Sequence, residues 1–329
     1  MVQLFWGSVV ILFGGVILGL IYQGVDRKLA ARMQARIGPP IVQPFRDIKK
    51  LLVKENIVPE NAIPWIYNGA PFLALAAVVT VLFYLPLGDQ RPLFSGYGDL
   101  ILVLYLLALP AVALAIGGFA SGSPYAVIGA QREIVMMMSY ELPLAAAIVA
   151  LAWRLDRALP GITAFSLKEI AAHPIWAYLG PLGFIGAILL VGVLLLVMPA
   201  ELSKIPFDIA EAETELAGGV TVEYSGRNLA LLRIADAVKT VVMGALILAL
   251  FFPYRLGGVL GLAGAAGGVV DTVFFLVKLF LIILIAVTIV RVAAARLKVS
   301  QVAYSFWVPL TGVALAGLVL IVLDGLFFM

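Results

Sequence analysis

With 329 residues, 63% hydrophobic and only 12% charged, the chain has too few charges for a water-soluble globule of its size, and its mean hydropathy of +1.11 marks a polytopic membrane protein. No cysteine and a single histidine, His173, exclude disulfides, thiolate-held metals and clusters, thiol nucleophiles and an imidazole metal cluster, so any redox centre belongs on a partner. The formal charge of +3 matters less than where the charges fall.

A first apolar span runs from about Leu4 to Gly24. No Lys or Arg precedes it, so it reads as a retained helix and not as a cleaved signal. Within it Gly15 and Gly19 have the small-xxx-small spacing of tight helix contact. After it come Asp26, Arg27, Lys28, Arg32 and Arg36, the start of the densest basic run, which the positive-inside rule places in the cytoplasm with the N-terminus outside. Gly38, Pro39 and Pro40 break the helix. Beyond them Phe45, Ile48, Leu51 and Leu52 recur at helical spacing opposite Arg46, Lys49, Lys50 and Lys54. That pattern predicts an amphipathic helix in the interface, either covering a cavity or serving as a headgroup anchor.

Further spans are expected at roughly 66–87, 99–118, 131–152, 177–199, 228–252, 270–291 and 306–327, each about the 20 apolar residues that cross the hydrocarbon. The fold class is therefore an all-α polytopic membrane protein of about eight transmembrane helices with interfacial amphipathic helices. Residues 1–329 form a single integral membrane domain with cytoplasmic loops 25–65, 119–131, 200–227 and 292–305 and both termini outside. Most of the 22 basic residues then lie at the cytoplasmic side, while Arg91, Arg154, Arg157, Lys168 and Arg255 fall in outer loops. Met136, Met137 and Met138 read as packing filler. In the loop before 177, Ser166 and Glu169 have capping-box spacing for a short surface helix carrying an exposed His173. The Gly/Ala run 257–268 is a flexible outer loop or a close helix contact.

Between two spans, residues 199–227 carry Glu201, Asp208, Glu211, Glu213, Glu215 and Glu223 against a single Lys204. Carboxylates held together raise one another's pKa and suit proton or cation handling, or a charged partner. A solvated acidic loop would be the plain alternative. Ile205, Pro206, Phe207, Ile209, Leu216 and Val220 speak against it, since side chains of that kind gain nothing from water.

Charges inside spans are costly and point to function. Glu141 follows Ser139 and Tyr140 and precedes Pro143, where a kink can open its carboxylate to a wet interior. Glu133 lies two turns earlier, beside Arg132. Asp236 and Lys239 are three apart and close enough to pair, with Arg233 one turn before them, and Asp271 and Lys278 sit two turns apart. Snorkelling for the cations and a silent structural pair for Asp236 with Lys239 are the competing readings.

Several short stretches taken together carry a resemblance: Arg36-Ile37-Gly38-Pro39, Gln43-Pro44 with Asp47 and Lys49, Lys54-Glu55, Gly118 to Ser121, Ser139 to Pro143, Ala200-Glu201 with Pro206-Phe207-Asp208, Glu211 with Glu213, Glu215-Leu216, and Glu223 to Gly226. The chain resembles the family of subunit 1 (the H subunit) of respiratory complex I and its relatives in membrane-bound nickel–iron hydrogenases. The resemblance implies a non-catalytic component in a prokaryotic plasma membrane, with no cofactor of its own and no nucleic-acid partner. Its implied partners are hydrogenase-like large and small subunits that carry iron–sulfur clusters and nickel–iron, antiporter-like membrane subunits, and lipid. It also implies that Glu141, Glu201, Glu211, Glu213, Glu215 and Glu223 are ion-coupling acids, to which Asp236 is added as a charge inside a span. Arg36 and Asp208 would shape a cavity and loop, with Glu133, Asp47 and Lys239 in support.

Three departures separate the chain from quinone-reducing members. The stretch Gly38 to Gln43 is short, Ala235-Asp236-Ala237 stands where Ala-Glu-Tyr is usual, and Ser300 replaces a usual Asp. These resemble the hydrogenase branch or its ferredoxin-dependent, sulfur-reducing cousins. The expected function is a membrane anchor and coupling subunit linking ferredoxin oxidation, with proton or polysulfide reduction, to H⁺ or Na⁺ translocation. The alternatives are a quinone-site subunit of an NADH- or deazaflavin-linked oxidoreductase and a purely structural anchor. A stand-alone secondary transporter would show inverted repeats, which the sequence lacks.

Overall fold

The computed structural model describes residues 2–88, 90, 92–94, 100–262 and 264–327, with side chains from residue 7 onward. Arg91, one of the expected outer cations, lies outside them, as do Asp99 and Ala263. In chain order the helices are α1 (Val2–Met33), α2 (Gln43–Val53), α3 (Pro64–Leu82), α4 (Leu100–Ala120), α5 (Pro124–Ala158), α6 (Leu167–Ala172), α7 (Pro181–Glu201), α8 (Glu213–Leu216), α9 (Gly226–Phe251), α10 (Gly264–Ile283), α11 (Val290–Ala293), α12 (Val299–Ser305) and α13 (Thr311–Phe327). A π turn, Leu284–Ile289, joins α10 to α11, and a second, Phe306–Leu310, joins α12 to α13. Eight rods among the described residues are long and apolar enough to cross a membrane: α1, α3, α4, α5, α7, α9, α10 with α11, and α12 with α13.

The bundle is organised around α9. Its most apolar stretch is 89% buried, against 28% to 50% in the other seven, and it packs against α1, α2, α3, α6, α7 and α10. A helix apolar on every side, as α9 is from Val241 to Phe251, belongs inside; the surrounding helices each keep an exposed apolar face suited to lipid. Lipid tails are as apolar as leucine, so the rods gain by approaching closely. Gly15 and Gly19 do this: a Cβ on Gly15 would stand 2.5 Å from a Leu82 methyl, and one on Gly19 only 2.3 Å from the Ala237 carbonyl of α9.

Several helix ends differ from the sequence expectation. α1 continues past Gly24 to Met33, because the charges that should end the span are neutralised in place. Asp26 accepts hydrogen bonds from Thr288 and Arg291, each at 2.7 Å, and no breaker occurs before Gly38. α5 starts at Pro124 rather than near 131, with proline at a position where its missing N–H costs nothing, and runs on to Ala158. Pro143 lies inside this helix without interrupting it. Ser166 makes no side-chain cap, and Glu169 instead stands 3.8 Å from His173, which is half-buried and not exposed.

α2 forms as expected, and of its two readings the structure supports the cover. Pro44 is buried, and Ile48 and Leu51 line a space of about 100 Å³ bounded by Leu20 and Arg27 of α1 and Arg233 of α9, while Arg46, Lys49 and Lys50 stay exposed. The acidic segment 202–225 is packed as well. Phe207, Ile209, Leu216 and Val220 are buried, and the Val220 N–H donates to the Ala210 carbonyl at 3.1 Å. Gly129 of α5 makes room, since a Cβ there would lie 2.3 Å from the Val220 nitrogen. Residues 34–63, 121–123, 202–225 and 294–298 thus share one end of the bundle, called here the loop end.

The Gly19 contact yields a direct check. Gly19→Ala forces a methyl against main chain that cannot rotate away, so it should destabilise the protein by about 1–3 kcal/mol. Thermal unfolding in detergent should show a lower midpoint than Gly14→Ala, where a Cβ meets nothing within 4 Å.

Candidate functional site

At the loop end, segment 202–225 is tied down by cations from other elements. Arg132 of α5 meets Glu215 at 2.6 Å, and Arg233 of α9 meets Glu211 at 3.4 Å. Arg296, between α11 and α12, holds Asp208 in a two-bonded fork at 2.8 and 2.5 Å and reaches Thr214 at 2.8 Å. The Asp208 bonds hold the Arg296 guanidinium above its already high range, so it stays charged under all working conditions. The far end of the segment is fixed on α3. Tyr224 stacks on Tyr67 with centroids 4.4 Å apart, and the Tyr67 hydroxyl donates to the Glu223 carbonyl at 2.6 Å.

Beneath the segment lies a cavity of about 470 Å³ whose wall includes five carboxylates, Asp26, Asp208, Glu211, Glu213 and Asp236, and five cations, Arg27, Lys204, Arg233, Arg291 and Arg296. Burial pushes the Glu211 carboxyl above the usual glutamate range; Arg233 and Lys204 pull it back and Asp236 pushes it further, with a net upward shift. Asp47 behaves oppositely. Burial raises it, but bonds from Arg27 (2.9 Å) and Gln43 (2.8 Å), with the charge of Lys50, hold it below the ordinary aspartate range.

Deeper in the bundle, about 30 Å³ of space is lined by Glu133, Glu201, Asp236 and Lys239. Ser203 and Asp236 line both this space and the large cavity, so Asp236 stands at the junction. Lys239 reaches Glu201 at 2.7 Å, their side chains 7% and 1% exposed. This corrects the expected pairing of Lys239 with Asp236, which instead lies 3.7 Å from Arg233 on its own helix. Helical spacing favours a neighbour on α9, but a buried ammonium is better served by the fully desolvated carboxylate at the end of α7. Glu133 is 2% exposed, and its Oε2 has no hydrogen-bond partner among the described residues.

The remaining expected residues are spread more widely. Glu141 lies two turns, roughly 12 Å, along α5 from Glu133. It is partly exposed and acts electrostatically on Glu201 and Tyr140. Glu213 and Glu215 are exposed at the rim and Glu223 is half-buried beside Tyr67. Arg36 stands exposed after α1 and contributes nothing to the cavity wall. Asp271 and Lys278 do not form a pair: Asp271 accepts the Gly257 N–H at 2.7 Å, and Lys278 donates to the Phe252 and Tyr254 carbonyls at 2.8 Å. Sequence reasoning missed Gln23, Asp26, Arg27, Arg291 and Arg296 in the wall. Gln23, Asp26 and Arg27 have the spacing of one helix face, a signal that is readable once α1 is extended past Gly24.

The chain matches the family described as NADH dehydrogenase over residues 7–322. It is 33% identical over 296 residues to hydrogenase-4 component C of Escherichia coli (strain K12), a match covering 90% of this chain and 89% of that one. It is 34% identical over 334 residues to the H subunit of NADH-quinone oxidoreductase from Brevibacillus brevis, covering 96% and 93%. Among solved structures it is similar to a chain of the membrane-bound sulfane sulfur reductase, an archaeal respiratory membrane complex, with a TM-score of 0.83, 30% identity, and coverage of 97% and 99%.

Two outcomes follow from the buried charges. Lys239→Met leaves the Glu201 carboxylate buried without its cation and should cost about 3–5 kcal/mol; adding Glu201→Gln should recover most of it in a thermal melt. Because the Glu211 pKa is raised in the fold, its ionised form opposes folding, and that penalty grows as pH climbs from the unfolded pKa through the folded one. Infrared titration should show a protonated-carboxyl band persisting above the usual glutamate range, and the difference between unmodified protein and Glu211→Gln should isolate the share of that band that belongs to Glu211.

Proposed function

Since the chain belongs to the NADH dehydrogenase family, that of subunit 1 of complex I, and is a membrane component of a complex-I-like oxidoreductase, we propose that it is the non-catalytic coupling element between a peripheral redox arm and ion-translocating neighbours. The observation that carries this reading is the polar continuity beneath the loop end. A charge-lined cavity meets, at Asp236, a buried cluster of Glu201, Lys239 and Glu133. Glu141 on the flank of α5 is the outward terminus of that cluster, placed to act on a neighbouring membrane subunit. Glu211, Glu213, Glu215 and Glu223 form its receiving end under the arm, with Asp208, Asp47 and Arg36 shaping the approach.

In this reading the loop end faces the cytoplasm of a prokaryotic plasma membrane and both termini lie outside. The exposed Arg46, Lys49, Lys50 and Lys54 support that orientation. The chain acts as one membrane domain, carrying no cofactor, with iron–sulfur clusters and any nickel–iron centre on hydrogenase-like partners and antiporter-like subunits alongside. Ferredoxin oxidation with proton or polysulfide reduction changes the arm, and the arm's two redox states favour different arrangements of segment 202–225. Without that difference nothing is transmitted. Similarity to both hydrogenase-4 component C and the sulfane sulfur reductase complex supports this branch.

Quinone reduction within this chain is the weaker reading. The large cavity's wall holds ten charged side chains and a single apolar one, Ile205, a mainly polar surface poorly suited to burying an isoprenoid tail.

The test is the stoichiometry of coupling. In vesicles containing the purified complex, Glu141→Gln should lower the ions moved per electron to a small fraction of the unmodified value. An undiminished ratio would remove Glu141 from the pathway. Proteins recovered with the chain from native membranes should include a redox arm; a chain moving ions alone would overturn the reading.

A further inference from the structure

One set of contacts joins segment 202–225 to the part of α5 that carries Glu141 without passing through any of the acids assigned above as ion-coupling groups. It runs through residues 284–311. Arg296 commits three donors to the segment, two to Asp208 and one to Thr214. The next residue, Leu297, donates its N–H to the Pro206 carbonyl at 3.1 Å. Further along, buried Phe306 packs edge-on against Phe207 with centroids 5.2 Å apart. Its neighbour Trp307 donates its indole N–H to Ser139 Oγ at 3.2 Å, while Ser139 itself donates to the Val135 carbonyl at 2.6 Å. Ser139 precedes Tyr140 and Glu141.

The strap is bracketed by the two π turns. A π turn holds one residue more per turn than an α-helix and recurs at functional sites. Releasing it re-aims everything downstream by roughly 100° of helical phase. Both turns are held: Thr288 and Arg291 bond Asp26 of α1, and the Thr311 hydroxyl donates to the Phe306 carbonyl at 2.7 Å. The strap is thus gripped by the acidic segment at its centre and has a jointed helix on either side. Only an arginine fork makes the Asp208 grip directional, because a lysine ammonium would hold the charge but not the angle.

We propose that Arg296 is a positioning residue for coupling. It locks segment 202–225 to the strap, and Trp307 hands the segment's displacement to Ser139 and so to Glu141. This deepens the coupling function proposed above and rests on it. The carboxylates sense and carry charge, whereas the strap carries position.

The experiment uses the intact complex and two readouts, peptide deuterium uptake and ions moved per electron. Arg296→Gln should speed exchange in 206–216 and in 135–142 by roughly 10- to 100-fold, the range expected for losing a charge-assisted hydrogen bond, and should lower the ion ratio. Exchanging the charges, Arg296→Asp with Asp208→Arg, should return part of both. Trp307→Phe removes the indole N–H but keeps an aromatic ring at a side chain that is 52% exposed, so it assembles even if the Arg296 variants do not. It should speed exchange in 135–142 alone and lower the ion ratio. Faster exchange confined to 206–216 with an intact ratio in Arg296→Gln, or no change at 135–142 in Trp307→Phe, overturns the proposal. Glu141→Gln measured alongside separates the two levels: a ratio that falls there but not in the strap variants rejects the strap and keeps the coupling role, and a ratio that survives Glu141→Gln rejects the coupling role itself.

Discussion

The arrangement depends on neutralising an acidic segment with arginines drawn from three other places in the chain. Taken alone, residues 199–227 carry a surplus of carboxylates that would repel one another and swell into water. Arg132, Arg233 and Arg296 convert the surplus into attachments, and each arrives from a different element: α5, α9 and the turn before α12. Apolar side chains of the segment can then bury against α5 and against Phe306 of the strap. Charge neutralisation and burial are one event here, since neither is favourable without the other.

The same logic, tightened, governs the interior. The pair Lys239 with Glu201 is almost fully withdrawn from water, a costly arrangement that close contact offsets but does not make stabilising. A shape-matched apolar pair would serve a purely structural helix better. Beside it Glu133 keeps an oxygen with no bond partner among the described residues. Buried polar groups are normally satisfied, so one that is not marks a place suited to a proton or a water. Burial of α9 on all sides supplies the low-dielectric setting that makes each such charge sensitive to its neighbours.

The opposite end of the bundle has a buried pair of another kind. Arg154 of α5 and Asp324 of α13 meet at 3.2 Å, nearly sealed from solvent, and Asp324 also accepts the Gly180 N–H at 2.8 Å. Arg154 donates as well to the Tyr178 carbonyl. Gly183 and Gly325 leave room for the two side chains, as a Cβ on either would fall within 2.9 Å of them. This clamp fixes the far end of the helix that carries Glu133 and Glu141. The sequence places Arg154 among the outer-loop cations, because nothing local to it announces a partner in the last helix of the chain.

Short-range chemistry encodes a good part of this architecture. Hydropathy sets the number of spanning rods, helical spacing sets the two faces of α2, apolar residues within 202–225 require that it be packed, and Gly15 and Gly19 mark the seam against α3 and α9. The combination of short motifs pointed to the family that the comparisons establish. The choice of partners emerges once the helices are packed. Lys239 passes over Asp236, three residues away, for Glu201, and Asp26 extends α1 because Arg291 waits across the bundle. The acids that locally face one lysine are met by arginines from elsewhere. The physical reason is that a buried charge selects the partner that removes the most unfavourable desolvation, and that choice depends on which helices are adjacent, a fact no local stretch of residues contains.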